Sequence, residues 1–107
     1  MFYHTVGLSF KSSVDPSAYA GIFEEFKTLK VTVTNEAGAP YVKSFKYGKQ
    51  TFQDRTKGVT HIVIVEFENE ADFKAFLVHP NHVAFSTTRS DQVFEDMVVL
   101  SFADGQL

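Results

Sequence analysis

The chain has no cysteine. That absence removes disulfides, thiolate metal sites and a cysteine nucleophile. An excess of one charge is also missing. Ten Lys and Arg stand against thirteen Asp and Glu, a net charge of −3 with the signs interspersed. Without a basic patch, nucleic acid is not expected as a partner. No apolar run approaches the ~20 residues of a membrane span. The opening Met1-Phe2-Tyr3-His4 lacks the basic and long apolar regions of a signal peptide. The expectation is a cytoplasmic protein with no membrane contact. The six glycines are scattered and build no phosphate-cradling loop, so no nucleotide cofactor is expected.

Phenylalanine is what the chain has in abundance, at 12 of 107 residues. The length suits one domain over residues 1–107, and a hydrophobic content of 44% supplies its core. So many rings exceed what an ordinary core of this size needs, and some are expected to line a cavity or an interface. Two of the four histidines fall close together in His79-Pro80-Asn81-His82. Imidazole suits proton transfer near neutral pH, and the positive end of a helix dipole favours its neutral, basic form. A metal reading of this pair is weaker. The spacing of three suits a helix, but Pro80 breaks it and no carboxylate motif accompanies it, so no metal is expected.

Phe2, His4, Val6, Leu8 and Phe10 alternate with Tyr3, Thr5, Gly7 and Ser9, which predicts a strand with one apolar face. His4 is the polar exception in that row. Asp15-Pro16 predicts a helix start, followed by Tyr19, Ile22, Phe23, Phe26, Leu29 and Val33 at helical spacing. A loop over 35–40 leads to a strand over 41–47. The polar connection 49–57 follows, with Asp54 and Arg55 read as solvated. Residues 58–67 predict the most apolar strand. Asn69 caps a second helix with Asp72 in the capping-box position, and Phe73, Phe76 and Leu77 are expected inward. Pro80 breaks that helix and opens the next, with Val83 and either Phe85 or Ser86 on its buried side. This segment is expected to run toward Phe94 through a solvated Asp91, before a strand over 97–102 and a loose tail over 103–107.

The order β-α-β-β-α-β predicts an α+β, ferredoxin-like fold: a four-stranded antiparallel sheet with helices on one face. The strand Thr60-His61-Ile62-Val63-Ile64-Val65 is apolar on both parities, so both faces of the sheet need cover. The chain offers no further element, and a second copy is expected there, making a homodimer packed sheet on sheet.

Three pieces of sequence carry a resemblance. They are His4-Thr5-Val6-Gly7-Leu8-Ser9-Phe10-Lys11, Gly58-Val59-Thr60-His61-Ile62-Val63, and Glu66-Phe67-Glu68-Asn69 leading to His79-Pro80-Asn81-His82-Val83-Ala84-Phe85. Together they resemble the stress-responsive dimeric α/β-barrel (Dabb) domain family over almost the whole chain. The resemblance implies a dimeric α/β barrel. It also points to the family's plant polyketide cyclase chemistry, a cofactor-free aldol closure. By motif position the cyclase base falls on His82, a second histidine on His4 and a third on His61. The chain departs at Phe76, where the cyclase has a tyrosine, and at Phe26, which matches a first-helix tyrosine. Its 35–44 loop is also longer. Phenyl rings donate no hydrogen bond, so these departures imply a more apolar ligand.

Two readings stand side by side. In the first, the protein is a cofactor-free cyclase or lyase acting on a hydrophobic, carbonyl-bearing molecule, polyketide-like or aromatic. His82 and His4 are then catalytic, and His61, Phe23, Phe26, Phe76 and Phe85 bind substrate. In the second, it is a non-enzymatic, stress-induced dimer that binds a hydrophobic ligand or a protein partner. The bland counterparts are a capping role for His82, core roles for His4, His61 and the phenylalanines, and a loop-anchoring role for His79. Tyr41 and Tyr47 are candidate hydroxyl donors from a strand. A third possibility is a monooxygenase of the wider barrel superfamily, with or without haem, although no axial ligand stands out.

Overall fold

The computed structural model describes residues 1–52 and 55–107, so Asp54 lies outside the described residues. The chain runs through β1 (Phe2–Phe10), a 3₁₀ turn (Pro16–Ala18), α1 (Tyr19–Lys27), α2 (Leu29–Thr32), β2 (Val42–Lys49) and β3 (His61–Phe67). It continues through α3 (Glu70–Val78), α4 (Pro80–Ala84), a π-helical turn (Phe85–Arg89), α5 (Ser90–Val93) and β4 (Phe94–Ala103). The strands form one sheet in the order β2-β3-β1-β4, with every neighbouring pair antiparallel. This is the ferredoxin-like arrangement expected from the element order.

Local signals set the element boundaries. The Asp15 carboxylate accepts from the Ser17 N–H at 2.9 Å, and Pro16 opens the turn. Asn69 Oδ1 accepts from the Asp72 N–H at 2.9 Å and starts α3. The inward row of β1 is buried from Phe2 to Leu8, and His61, Val63, Val65 and Phe67 form the matching row of β3. Ile22, Phe23, Phe26, Leu29 and Val33 bury onto those rows at the spacing read from sequence.

Several boundaries and faces differ from the sequence reading. Strand β3 begins at His61 rather than 58. Arg55, Lys57 and Gly58 have φ of 61°, 53° and 87°, a left-handed bend that the extended ladder excludes. Strand β4 begins at Phe94, three residues earlier than expected, because Phe10 at the end of β1 extends the ladder to Phe94. Leu77 and Val83 are exposed, not inward. From α3 to the π-helical turn, the segment turns inward only the stripe through Phe73, Phe76 and Phe85, which leaves Leu77 and Val83 on its outer side. The tail is tied down by the Asp104 N–H to the Met1 carbonyl at 3.1 Å and the Gln106 N–H to the Ala103 carbonyl at 3.2 Å.

Phe67 is fully buried under α3. Phe67→Ala is expected to lower the unfolding free energy by about 3–5 kcal/mol. Asn69→Ala, which removes only a cap, is expected to cost about 1 kcal/mol. Urea denaturation of both variants checks this ordering.

Candidate functional site

Strand alternation turns His4 into the apolar core from the middle of the sheet. It is 6% exposed, among the rings of Phe73 (5.0 Å between centroids) and Phe76 (6.2 Å). Its Nδ1 lies 3.0 Å from Ser101 Oγ on β4, the residue opposite it in the antiparallel register. Burial pushes the His4 pKa down to about 4, with repulsion from His82 adding to the effect.

His82 is brought to the same place by the α3–α4 break. His79 ends α3 in an extended conformation, and its Nδ1 accepts from the Asn81 N–H at 3.1 Å. Pro80 then restarts the helix, and α4 turns His82 back under α3. The His82 ring packs on Phe76 with centroids 4.4 Å apart. Its Nδ1 lies 3.1 Å from the Leu77 carbonyl oxygen. A carbonyl only accepts, so Nδ1 carries the proton and Nε2 keeps its lone pair. Burial lowers the His82 pKa and His79 lowers it further, while the Leu77 carbonyl opposes both. The result is a neutral imidazole held in the tautomer a base requires.

The other residues singled out by sequence fall into separate clusters. Phe26 and Phe85 pack with tilted rings at 4.4 Å between centroids, and Phe26 meets Phe45 at 4.9 Å. His61 is not beside His4 and His82. It pairs with Leu8, whereas His4 pairs with Val65, a separation of four residues or roughly 13 Å along the strands. There its ring is surrounded by Phe10 (5.2 Å), Tyr19 (5.3 Å) and Phe23 (5.5 Å), and Thr60 Oγ1 lies 2.8 Å from its Nδ1. Burial and then Lys49 lower its pKa. His79 is half-buried and acts as the α4 cap. Tyr47 donates to Glu24 Oε1 at 2.5 Å, away from the histidine pair. Asp91 is exposed, as expected. Sequence reasoning missed Ser101 and the Leu77 carbonyl. Ser101 was visible as the polar break in the apolar run 97–102, but only the register pairs it with His4.

Two open clefts flank the α4 segment. One of about 600 Å³ runs between α1–α2 and α4–α5, over Leu29, Ala84 and Phe85. The other, of about 410 Å³, lies between the 34–41 loop and α3, and His79 lines it. Among the described residues, no three His, Cys, Asp or Glu side chains gather into a metal-holding group. No helix among them is long and apolar enough to cross a membrane.

The sequence model of the Stress responsive A/B Barrel Domain (Dabb) matches residues 2–104. The chain belongs to this family. It is 32% identical to olivetolic acid cyclase of Cannabis sativa over 83 residues, 77% of this chain and 76% of that protein. Its backbone superposes on the hydroxynitrile lyase of Passiflora edulis with a TM-score of 0.79 at 24% identity, covering 99% of this chain and 95% of the lyase. A dimeric ferredoxin-like protein of Thermobifida fusca gives a TM-score of 0.68 at 19% identity, over 95% and 89% of the two chains. At those identities the structural likenesses establish the fold. The Dabb fold here thus has one relative named as a cyclase and one structural neighbour named as a lyase.

The depressed pKa of His4 has a consequence for folding. The unfolded imidazole takes up a proton near pH 6.5 and the folded one only near pH 4. Above pH 6.5 both are neutral and the group contributes no pH dependence. Between pH 6.5 and 4 the unfolded state binds the extra proton, so stability falls as the pH falls, by about 3 kcal/mol for His4. His4→Leu is expected to flatten this part of the curve. Denaturant midpoints measured from pH 7.5 to 4 check it, and an unchanged slope contradicts the assignment.

Proposed function

We propose that this protein is a cofactor-free cyclase or lyase whose general base is His82. The observation that carries the reading is the hydrogen bond from His82 Nδ1–H to the Leu77 carbonyl, which leaves Nε2 as a neutral acceptor in a desolvated site. In this reading Nε2 takes a proton from a carbon beside a carbonyl. The electron pair moves onto the carbonyl oxygen, giving an enolate. That enolate then either attacks a second carbonyl of the same molecule or expels a leaving group. His4 serves as the donor to the developing oxygen charge. Ser101 Oγ–H donates to His4 Nδ1, and His4 Nε2–H is then available to the substrate.

Phe76 sets the class of substrate. Its ring lies on His82 and offers no hydrogen bond, so the part of the ligand beside the base is apolar. Phe26 and Phe85 form a separate aromatic pair, with Phe85 lining the neighbouring cleft, and Phe23 and His61 form a third cluster further along the sheet. A hydrophobic, carbonyl-bearing molecule, polyketide-like or aromatic, fits this set. The name of the cyclase relative supports the reaction class.

The working unit in this proposal is a homodimer of one Dabb domain in the cytoplasm. The sheet face turned away from the helices carries exposed Ile62, Val98, Leu100 and Phe102, an apolar surface of the kind that monomers rarely leave open. The name of the T. fusca neighbour supports the assembly. A second reading, a dimer that holds a hydrophobic ligand without turning it over, is favoured by the same Phe76. It removes the donor that a cyclase would use beside its base.

Hydrogen–deuterium exchange at the carbon beside the carbonyl separates the two without knowledge of the substrate. With a panel of aryl ketones, β-diketones and polyketide-like thioesters in D₂O, the wild type is expected to catalyse exchange. His82→Gln is expected to lose roughly 10²–10⁴ of that rate while still binding the same compounds. Exchange that survives in His82→Gln removes the base assignment. Binding with no exchange in the wild type favours the non-enzymatic reading.

A further inference from the structure

Helix α4 carries the proposed base, yet packing holds it poorly. It has five residues, and none of them is buried. A helix this short has no stability of its own. His82 is the one side chain of α4 that is even half-buried, so the base is also the main packing contact of the helix that presents it. One ring contact and one hydrogen bond, to the Leu77 carbonyl, leave the imidazole free to pivot about Nδ1. Nε2 moves with every such pivot. A base that takes a proton from carbon needs a fixed Nε2, and a second anchor must supply it.

Asn81 is that anchor by position and by partner. Its Nδ2 donates to the Thr32 carbonyl at 3.0 Å, across 49 residues of chain. Thr32 is the last residue of α2, where end carbonyls lack an intrahelical partner. The Asn81 N–H belongs to the first turn of α4 and is taken by His79 Nδ1 at 3.1 Å. Adjacent residues on a helix point about 100° apart, so Asn81 and His82 hold α4 from two directions, toward α2 and toward α3. Phe85, buried on Phe26, pins the far end of the helix. The Asn81–Thr32 bond crosses one end of the cleft of about 600 Å³, and the Arg89–Glu25 pair crosses the other.

We propose that Asn81 is a positioning residue for His82. By tying α4 to the end of α2 it fixes the backbone from which the imidazole projects, and so aims Nε2 at the substrate. The inference rests on the base reading above and adds the residue that sets the aim of that base.

The test is the deuterium-exchange assay, run over a range of compound concentrations, together with ¹⁵N NMR of the histidine rings. Asn81→Leu keeps the size and branching of the side chain and removes the donor. It is expected to lower kcat for exchange about tenfold to a hundredfold, with KM little changed. Its His82 ring is expected to lose the pure Nδ1–H tautomer and show a mixture, which a bond serving stability alone would not alter. Asn81→Gln retains the donor, and the open cleft has room for its extra methylene. It is expected to recover most of kcat and the wild-type tautomer. Arg89→Met removes the tie at the other end of the cleft and is expected to leave kcat and His82 unchanged. Urea midpoints confirm that each variant is folded under the assay conditions. Wild-type kcat and His82 signals in Asn81→Leu, or an equal loss in Arg89→Met, overturn the positioning role and leave the base reading standing. A wild type that catalyses no exchange with any compound of the panel overturns both.

Discussion

Strand β1 carries hydrogen-bond ladders on both sides, to β3 and to β4, and the register of those ladders governs the rest of the molecule. A shift of one residue would turn every side chain to the other face. In the observed register His4 points into the core with Ser101 beside it, and Gly7 lies against Val59. The same pairing separates an inward row of Phe2, His4, Val6 and Leu8 from an outward row that Tyr3 and Thr5 share with Leu100 and Phe102.

Desolvation links that register to chemistry. A charged imidazole surrounded by phenylalanine loses its hydration and gains no counter-charge, so the neutral form prevails. His4, His61 and His82 all follow this rule, and the hydrogen-bond partner then decides what each can do. The Leu77 carbonyl leaves His82 a free acceptor nitrogen. His79, three residues earlier, accepts from the Asn81 N–H through Nδ1 and is committed to capping α4. Neighbouring histidines on one short segment therefore differ because one backbone group offers a carbonyl and the other an amide.

The helical layer covers β1, β2 and β3 and leaves most of β4 open, so β4 is exposed along both faces beyond Phe94. An open apolar strand at the edge of a sheet is a liability unless something covers it. The same limited cover explains why Leu77 and Val83 face solvent although their neighbours Phe76 and Phe85 are buried. The segment from α3 to the π-helical turn buries one narrow stripe. The π-helical turn over Phe85–Arg89 keeps Phe85 inside and sets Arg89 Nε 3.1 Å from Glu25 Oε2, tying α1 to the end of this layer.

Period and punctuation were enough to read the element order, the inward row of β1, the caps at Asp15 and Asn69, and the helix break at Pro80. These depend on neighbours within a turn or a strand, where sequence and geometry are directly linked. The start of β3 and the extra length of β4 were not legible, because a left-handed bend at 55–58 and the reach of a partner strand set them. The grouping of the histidines was also beyond the sequence. His4 and His61 both read as polar residues in apolar rows. Only the antiparallel pairing sets His4 against Ser101 and near His82, while His61 lies among Phe10, Tyr19 and Phe23 at the other end of the strand. Local periodicity says which side of a strand a residue occupies. Which residues meet across the sheet depends on long-range register, and that exists only in the folded chain.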